Sequence, residues 1–225
     1  LTKYIGGHGT SIGGIVVDGG NFDWTKNRKR QPLLNEPDQS YGGAVWIDAV
    51  PQLTGANIPF VIRLRVVLLR DTGAPLAPFN AWQIIQGLET VGLRMKQHCS
   101  NAEKVVTFLE TQKKVQNVIY PTNHQGEIKE RAKKYMQGGY GSLVGMDVGT
   151  KENGAKFIDN LKMLYHVANI GDARSLAIHP ATTTHSQLNE KELLAAGVTP
   201  GYVRLSIGIE HPDDIIADIK QALAA

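Results

Sequence analysis

Thr2 and Lys3 stand at the head of a glycine-rich run, Leu1-Thr2-Lys3-Tyr4-Ile5-Gly6-Gly7-His8-Gly9-Thr10-Ser11-Ile12-Gly13-Gly14. Glycine lets a backbone approach a bound group closely and take positive φ. A lysine desolvated in such a place can lose its proton and attack a carbonyl as the free amine. Thr2, directly before it, offers a hydroxyl to a phosphate. A lysine imine beside a phosphate anchor is what a pyridoxal phosphate site requires. The same residues also read as a solvated lysine followed by a Gly7-His8-Gly9 turn, because lysine is almost never buried unpaired.

Other positions carry chemistry of their own. Arg204 lies in the alternating string Tyr202-Val203-Arg204-Leu205-Ser206-Ile207. A strand placed there either turns the guanidinium fork inward to take a carboxylate through two parallel hydrogen bonds, or leaves it on a solvated face. His179 and His185 are six residues apart with no cysteine or acid cluster beside them, which is not a zinc spacing. Cys99 falls on an apolar helical stripe and reads as core rather than nucleophile. The basic run Lys26-Asn27-Arg28-Lys29-Arg30 reads as a solvated loop.

These side chains need elements to position them. Ile12 to Asp18, with Ile15, Val16 and Val17 between glycine pairs, predicts a buried strand, which would put Lys3 in the turn entering it at a sheet edge. Residues 19–57 are rich in Asn, Pro, Gly and Asp and read mostly as loops, with Tyr41 and Trp46 as aromatic anchors. A helix is expected from Asn57 or Pro59 to Gly73. A longer one begins near Pro78 or Asn80, with the stripe Phe79, Trp82, Ile85, Leu88, Gly92, Met95, Cys99, Ala102, Val106, Leu109 facing a core. From about residue 116, short apolar runs alternate with helical patterns, the signature of a further α/β unit. It closes with a helix opened by His211-Pro212-Asp213-Asp214.

The chain has 225 residues, 42% apolar and 20% charged, with net charge +3 and one cysteine. These values are ordinary for a soluble globular protein and leave no disulfide framework. No dense basic stretch interleaved with aromatics points to nucleic acid, and no long apolar span points to a membrane. The single cysteine fits a reducing, cytoplasmic compartment.

The string Thr2–Gly14 followed by Asn21-Phe22-Asp23-Trp24 resembles the internal-aldimine segment of the Cys/Met-metabolism family of pyridoxal phosphate enzymes, within it most the O-acetylhomoserine sulfhydrylase branch. The family pattern is Ser-x-Thr-Lys-Tyr and then a Gly-His-rich turn; its Ser would precede Leu1. The resemblance continues to the C-terminus, through Asn169–Ser186 and the string Val203-Arg204-Leu205-Ser206-Ile207-Gly208-Ile209-Glu210. It implies a type I pyridoxal phosphate-dependent transferase fold of the α/β class. Residues 1–78 would be the tail of the large cofactor-binding domain, 79–115 a connecting helix and 116–225 the small C-terminal α/β domain.

The resemblance also implies roles. Lys3 would form the Schiff base with pyridoxal 5'-phosphate and shuttle protons, and Thr2 would bind the cofactor. Arg204 and Thr184 would hold the substrate carboxylate. Asn169 stands where many relatives have Ser, and reads equally as the cap of a turn before Gly171; Thr184 reads equally as part of a polar turn. The implied reaction is γ-replacement on O-acetyl-L-homoserine by sulfide or a small thiol, giving homocysteine and acetate in methionine biosynthesis. A sister activity (cystathionine γ-synthase, or a methionine or cystathionine γ-lyase) shares the same motifs. A non-catalytic fragment that supplies only subunit interface is the reading from another class. Further cofactor ligands of the family lie upstream, so this chain is expected to be the later part of a longer protein. Its partners would be an amino-acid substrate, sulfide, that upstream half and further copies in a homotetramer, with no nucleic acid, no membrane and no metal.

Overall fold

In the computed structural model, which describes all of residues 1–225, the sequence resolves into two compact units, Gly13–Ala81 and a second made of Leu1–Ile12 with Trp82–Ala225. In the first, short helical pieces α1 (Pro32–Asn35), α2 (Trp46–Thr54), α3 (Pro59–Arg63) and α4 (Arg70–Thr72) are joined by loops, with a π-helical stretch Leu64–Leu69 running α3 into α4. Gly55 and Gly73 end α2 and α4 in the left-handed conformation that a glycine accepts without strain. Leu34, Trp46, Ile47 and Val50 form its small core. Lys26–Arg30 is exposed, as expected of a solvated loop.

The predicted strand Ile12–Asp18 is not formed. No strand pairs with it, and Ile15, Val16 and Val17 are 68%, 53% and 82% exposed. An apolar run becomes a strand only when a neighbour accepts its ladder of hydrogen bonds, and none in these 225 residues does. Lys3 therefore lies in a turn, but no strand follows it.

α5 (Pro78–Glu110) is the expected long helix, and it continues from one unit into the other. Its apolar stripe is core from Cys99 through Ala102, Val106 to Leu109. Toward the N-terminal end the buried face differs from the expected one: Phe79, Trp82, Ile85 and Leu88 are exposed, and Ile84, Gly87, Arg94 and His98 are buried instead. Two of those positions carry hydrogen-bonding groups and one has no side chain, which hydropathy periodicity does not score as core.

The remaining elements build a five-stranded sheet in the order β1-β2-β5-β4-β3 from β1 (Asn117–Ile119), β2 (Leu143–Asp147), β3 (Tyr165–His166), β4 (Leu176–Ile178) and β5 (Tyr202–Ser206). All its pairs are antiparallel except β3–β4. Helices α6 (Gly126–Tyr135), α7 (Lys151–Asn160), α8 (Glu190–Ala195) and α9 (Pro212–Ala224) are interleaved with the strands, except that β3 leads to β4 without a helix between them. The main core joins Val144, Met146, Val203, Leu205 and Ala177 of the sheet to Val105 and Leu109 of α5, Phe157 of α7, and Ile215 and Ile219 of α9. Because side chains alternate along a strand, Arg204 and Ser206 of β5 project from the sheet face opposite Val203 and Leu205. Asp218 of α9 secures the turn before β3 by accepting the backbone N–H groups of Lys162, Met163 and Leu164. Burial works against its charge, but these bonds outweigh it and hold the carboxyl below its usual range. No single helix is long and apolar enough to cross a membrane.

Candidate functional site

The turn at residues 2–6 is closed by Gly6 N–H on the Leu1 carbonyl and Gly7 N–H on the Lys3 carbonyl, at 2.9 and 2.7 Å. It exposes the Lys3 side chain, whose Nζ donates to Asn169 Oδ1 at 2.5 Å across 166 residues of sequence. Asn169 is presented by a segment that β5 holds at two points. Arg204 Nη2 reaches the Asn169 carbonyl at 3.5 Å, and Ser206 Oγ accepts from Gly171 N–H at 3.0 Å. Gly171 has φ +72 and lies so close to Tyr4 that a Cβ would fall 2.8 Å from its backbone nitrogen. Only glycine lets the two loops meet this closely.

The 3.5 Å contact is the one hydrogen bond of the half-buried Arg204 side chain, and a guanidinium carries five N–H donors, so most of them are not used within the chain. Thr184 is placed otherwise. It is exposed in the loop following β4, and its Oγ1 pairs with Nδ1 of the adjacent His185 at 2.9 Å. Lys3, Asn169 and Arg204 are thus joined by contacts, and Thr184 is not joined to them. Thr2 lies half-buried in the same turn as Lys3.

Beside this cluster Asp172 is 3% exposed and ion-pairs with Arg174 at 3.2 Å. Its burial pushes the carboxyl up, but hydrogen bonds from Arg174 and the guanidinium charge together bring it below the ordinary value. A Cβ on Gly9 (φ +63) would fall 2.8 Å from Asp172 Oδ2 and 3.4 Å from Asn169 Nδ2, so the glycine run passes directly over this carboxylate and amide.

A family model described as Cys/Met metabolism PLP-dependent enzyme (PLP is pyridoxal phosphate) matches residues 1–224. The chain belongs to this family. It is 49% identical over 228 residues to an O-acetyl-L-homoserine sulfhydrylase of Leptospira meyeri, covering 99% of this chain and 51% of that protein. It is 44% identical over 223 residues to a homocysteine synthase of Schizosaccharomyces pombe, covering 99% and 51%. A solved structure of a putative O-acetylhomoserine (thiol)-lyase from Campylobacter jejuni, which carries N'-pyridoxyl-lysine-5'-monophosphate, matches with TM-score 0.85 at 41% identity over 100% of this chain and 52% of its own. The α/β fold expected from the resemblance is therefore the fold found. The chain spans about half the length of the relatives it matches.

The residues present suit the cofactor of this PLP-dependent family: an exposed amine on a glycine turn, an amide acceptor on that amine, and a guanidinium with donors to spare. Sequence reasoning missed the residues that hold this arrangement. Arg94, buried on α5, donates from Nη1 to the Tyr4 carbonyl at 2.7 Å and from Nη2 to the Ile5 and Gly87 carbonyls at 3.1 and 2.6 Å. Tyr4 shares a hydrogen bond with Ser142 Oγ at 2.8 Å and meets the His98 ring edge to face at 5.6 Å. Gly87, Arg94 and His98 recur at steps of seven and four along one line of α5, but that line lies off the apolar stripe of the sequence, and only the structure shows it buried. His179, by contrast, is structural, with Nδ1 on Thr182 Oγ1 at 2.9 Å and Nε2 on the Pro200 carbonyl at 2.8 Å. Cys99 is buried, as expected of a core position.

Proposed function

We propose that the whole protein is a pyridoxal phosphate-dependent O-acetylhomoserine sulfhydrylase. It replaces the γ-acetoxy group of O-acetyl-L-homoserine with sulfide or a small thiol: the Cγ–O bond breaks and releases acetate, then a Cγ–S bond forms, giving L-homocysteine from sulfide or the S-substituted homocysteine from a thiol. In this reading residues 1–78 complete the large cofactor-binding domain, 79–115 link it to the small domain 116–225, and the rest of the length seen in the relatives supplies the remaining cofactor contacts. Copies of the whole protein assemble as a homotetramer.

The observation that carries the reading is the meeting of Lys3 Nζ with Asn169 Oδ1 at 2.5 Å, on a segment whose backbone carbonyl contacts Arg204. Bound pyridoxal phosphate supplies the electron sink that lets bonds at Cα and Cγ of the amino acid break. Lys3 would hold the cofactor and would carry protons at Cα and Cβ of the amino acid. Asn169 orients the Lys3 amine by accepting a hydrogen bond from it. Arg204 takes the α-carboxylate, with Thr184 as support once the loop after β4 meets substrate, and so fixes the Cα–H bond for cleavage. Thr2 donates to the cofactor phosphate.

The test is an absorbance spectrum of the complete protein, borohydride reduction and peptide mapping, then assays with O-acetylhomoserine and sulfide against methionine or cystathionine alone. A visible cofactor band, a pyridoxyl mass on the Lys3 peptide and homocysteine formation from O-acetylhomoserine are expected. A label on another lysine removes Lys3 from its role; turnover of methionine or cystathionine alone points to a sister lyase instead.

A further inference from the structure

Arg94 is a cation 5% exposed, and it makes no ion pair. Burying a charge costs free energy unless hydrogen bonds compensate, and here every acceptor is neutral: the carbonyls of Tyr4, Ile5 and Gly87, and Thr90 Oγ1 at 3.2 Å from Nε. Two of those carbonyls belong to the residues directly after Lys3.

The fit around this guanidinium is tight from both sides. A Cβ on Gly87 would overlap the Ile5 and Gly6 carbonyls, and a Cβ on Gly7 (φ +76) would overlap the guanidinium. The far end of the loop is fastened by Ala173 N–H on the Gly7 carbonyl at 2.8 Å. The loop bearing Lys3 is thereby clamped between α5 and the 169–173 segment, the segment that supplies Asn169.

We propose that Arg94 is a positioning residue for Lys3. Its planar fork fixes the Tyr4 and Ile5 peptide planes on α5, and so sets where the Lys3 amine meets Asn169 and the cofactor. A lysine at this place keeps the charge but lacks the fork, so it cannot hold two carbonyls in one plane. This inference rests on the reading of Lys3 as the cofactor lysine.

The experiment uses the full-length holoenzyme and the variants Arg94→Lys and Gly87→Ala. The first removes the fork; the second pushes the loop from the helix side with Arg94 intact. Both are expected to keep bound cofactor and to shift the pH midpoint of its visible band. Both are expected to lower kcat by about 10- to 100-fold with little change in KM for the amino acid, since misplacement by about 1 Å costs about that much. Amide exchange at Gly7 is expected to quicken in both variants even without cofactor. A band and pH midpoint equal to the wild type, with kcat unchanged per reducible cofactor, would overturn the proposal. So would a loss of activity that only tracks the fraction unfolded. A wild-type protein with no lysine-linked cofactor would instead overturn the reading of Lys3, and the Gly7 exchange would still report whether Arg94 holds the loop.

Discussion

Two apolar runs of this chain look alike and end differently. Gly13-Gly14-Ile15-Val16-Val17-Asp18 and Gly201-Tyr202-Val203-Arg204-Leu205-Ser206-Ile207-Gly208 are both short, β-prone and bounded by glycine. The second becomes β5, paired on both sides, with Val203, Leu205 and Ile207 fully buried. No strand pairs with the first, and its Ile15, Val16 and Val17 side chains lie in solvent. Local propensity is nearly the same, so the difference lies in neighbours: β2 and β4 present matching edges, and α5 and α9 cover the face. A strand is a property of a pair, and local sequence describes only half of it.

The largest expected effects test that contrast directly. Leu205→Ala should destabilise this chain by about 2–5 kcal/mol in urea unfolding, because it empties a closed core. Val16→Ala should stay within about 0.5 kcal/mol. Equal costs would mean that the first run is packed after all. Glycines extend the comparison. Gly171→Ala should cost about 1–3 kcal/mol, from its positive φ and the contact with Tyr4. Gly14 has open space around it, so Gly14→Ala should be neutral or stabilising by up to about 1 kcal/mol. Thermal melts of the two variants decide between these outcomes.

Acid should separate the regions next. All seven histidines lie outside Gly13–Ala81, and two of them, His98 and His179, are fully buried with basicity lowered first of all by desolvation. His98 Nδ1 bonds the Ile207 carbonyl, and a second proton would arrive at Nε2, which is buried without an acceptor. Arg94 opposes that charge, while Glu210 and Asp172 favour it more weakly than burial resists it; Lys151 and His166 oppose it at His179. The folded pKa lies below the unfolded value near 6.5, so the unfolded chain binds more protons in between and stability falls as pH drops below about 6.5. Denaturant midpoints at pH 7 and pH 5, for the protein and for His98→Gln, measure this; a variant with an unchanged pH slope would remove His98 from the account. The smallest effect is local. Amides of Ile15–Val17 should exchange freely in this chain and those of Val203 and Leu205 slowly. In a protein of the relatives' full length we expect the first run to become protected as well; continued fast exchange there would leave it outside any sheet.

Much of the fold was legible from residue order because it is written locally. Pro78, the 3.6-residue period after Cys99 and the acidic start after His211 announce α5 and α9 by rules that need no distant partner. The site was legible in part. Lys3, Asn169 and Arg204, named as candidates with the help of the resemblance, are joined by contacts, while Thr184 pairs with His185. Arg94 was hidden because a periodicity argument treats an arginine on a helix as a solvated residue, and its value comes only from the carbonyls it meets.

By itself, then, the sequence determined the long helix, the caps, the alternation of β5 and the amine on its glycine turn, since each follows from side-chain and backbone preferences within a few residues. Tertiary structure alone decided which apolar run found a sheet, which face of α5 was buried and how Lys3 reached an amide 166 residues away. Those outcomes depend on surfaces brought together by packing, and hydrogen bonds to backbone carbonyls such as those of Tyr4 and Ile5 leave no mark in the sequence of the residues that accept them.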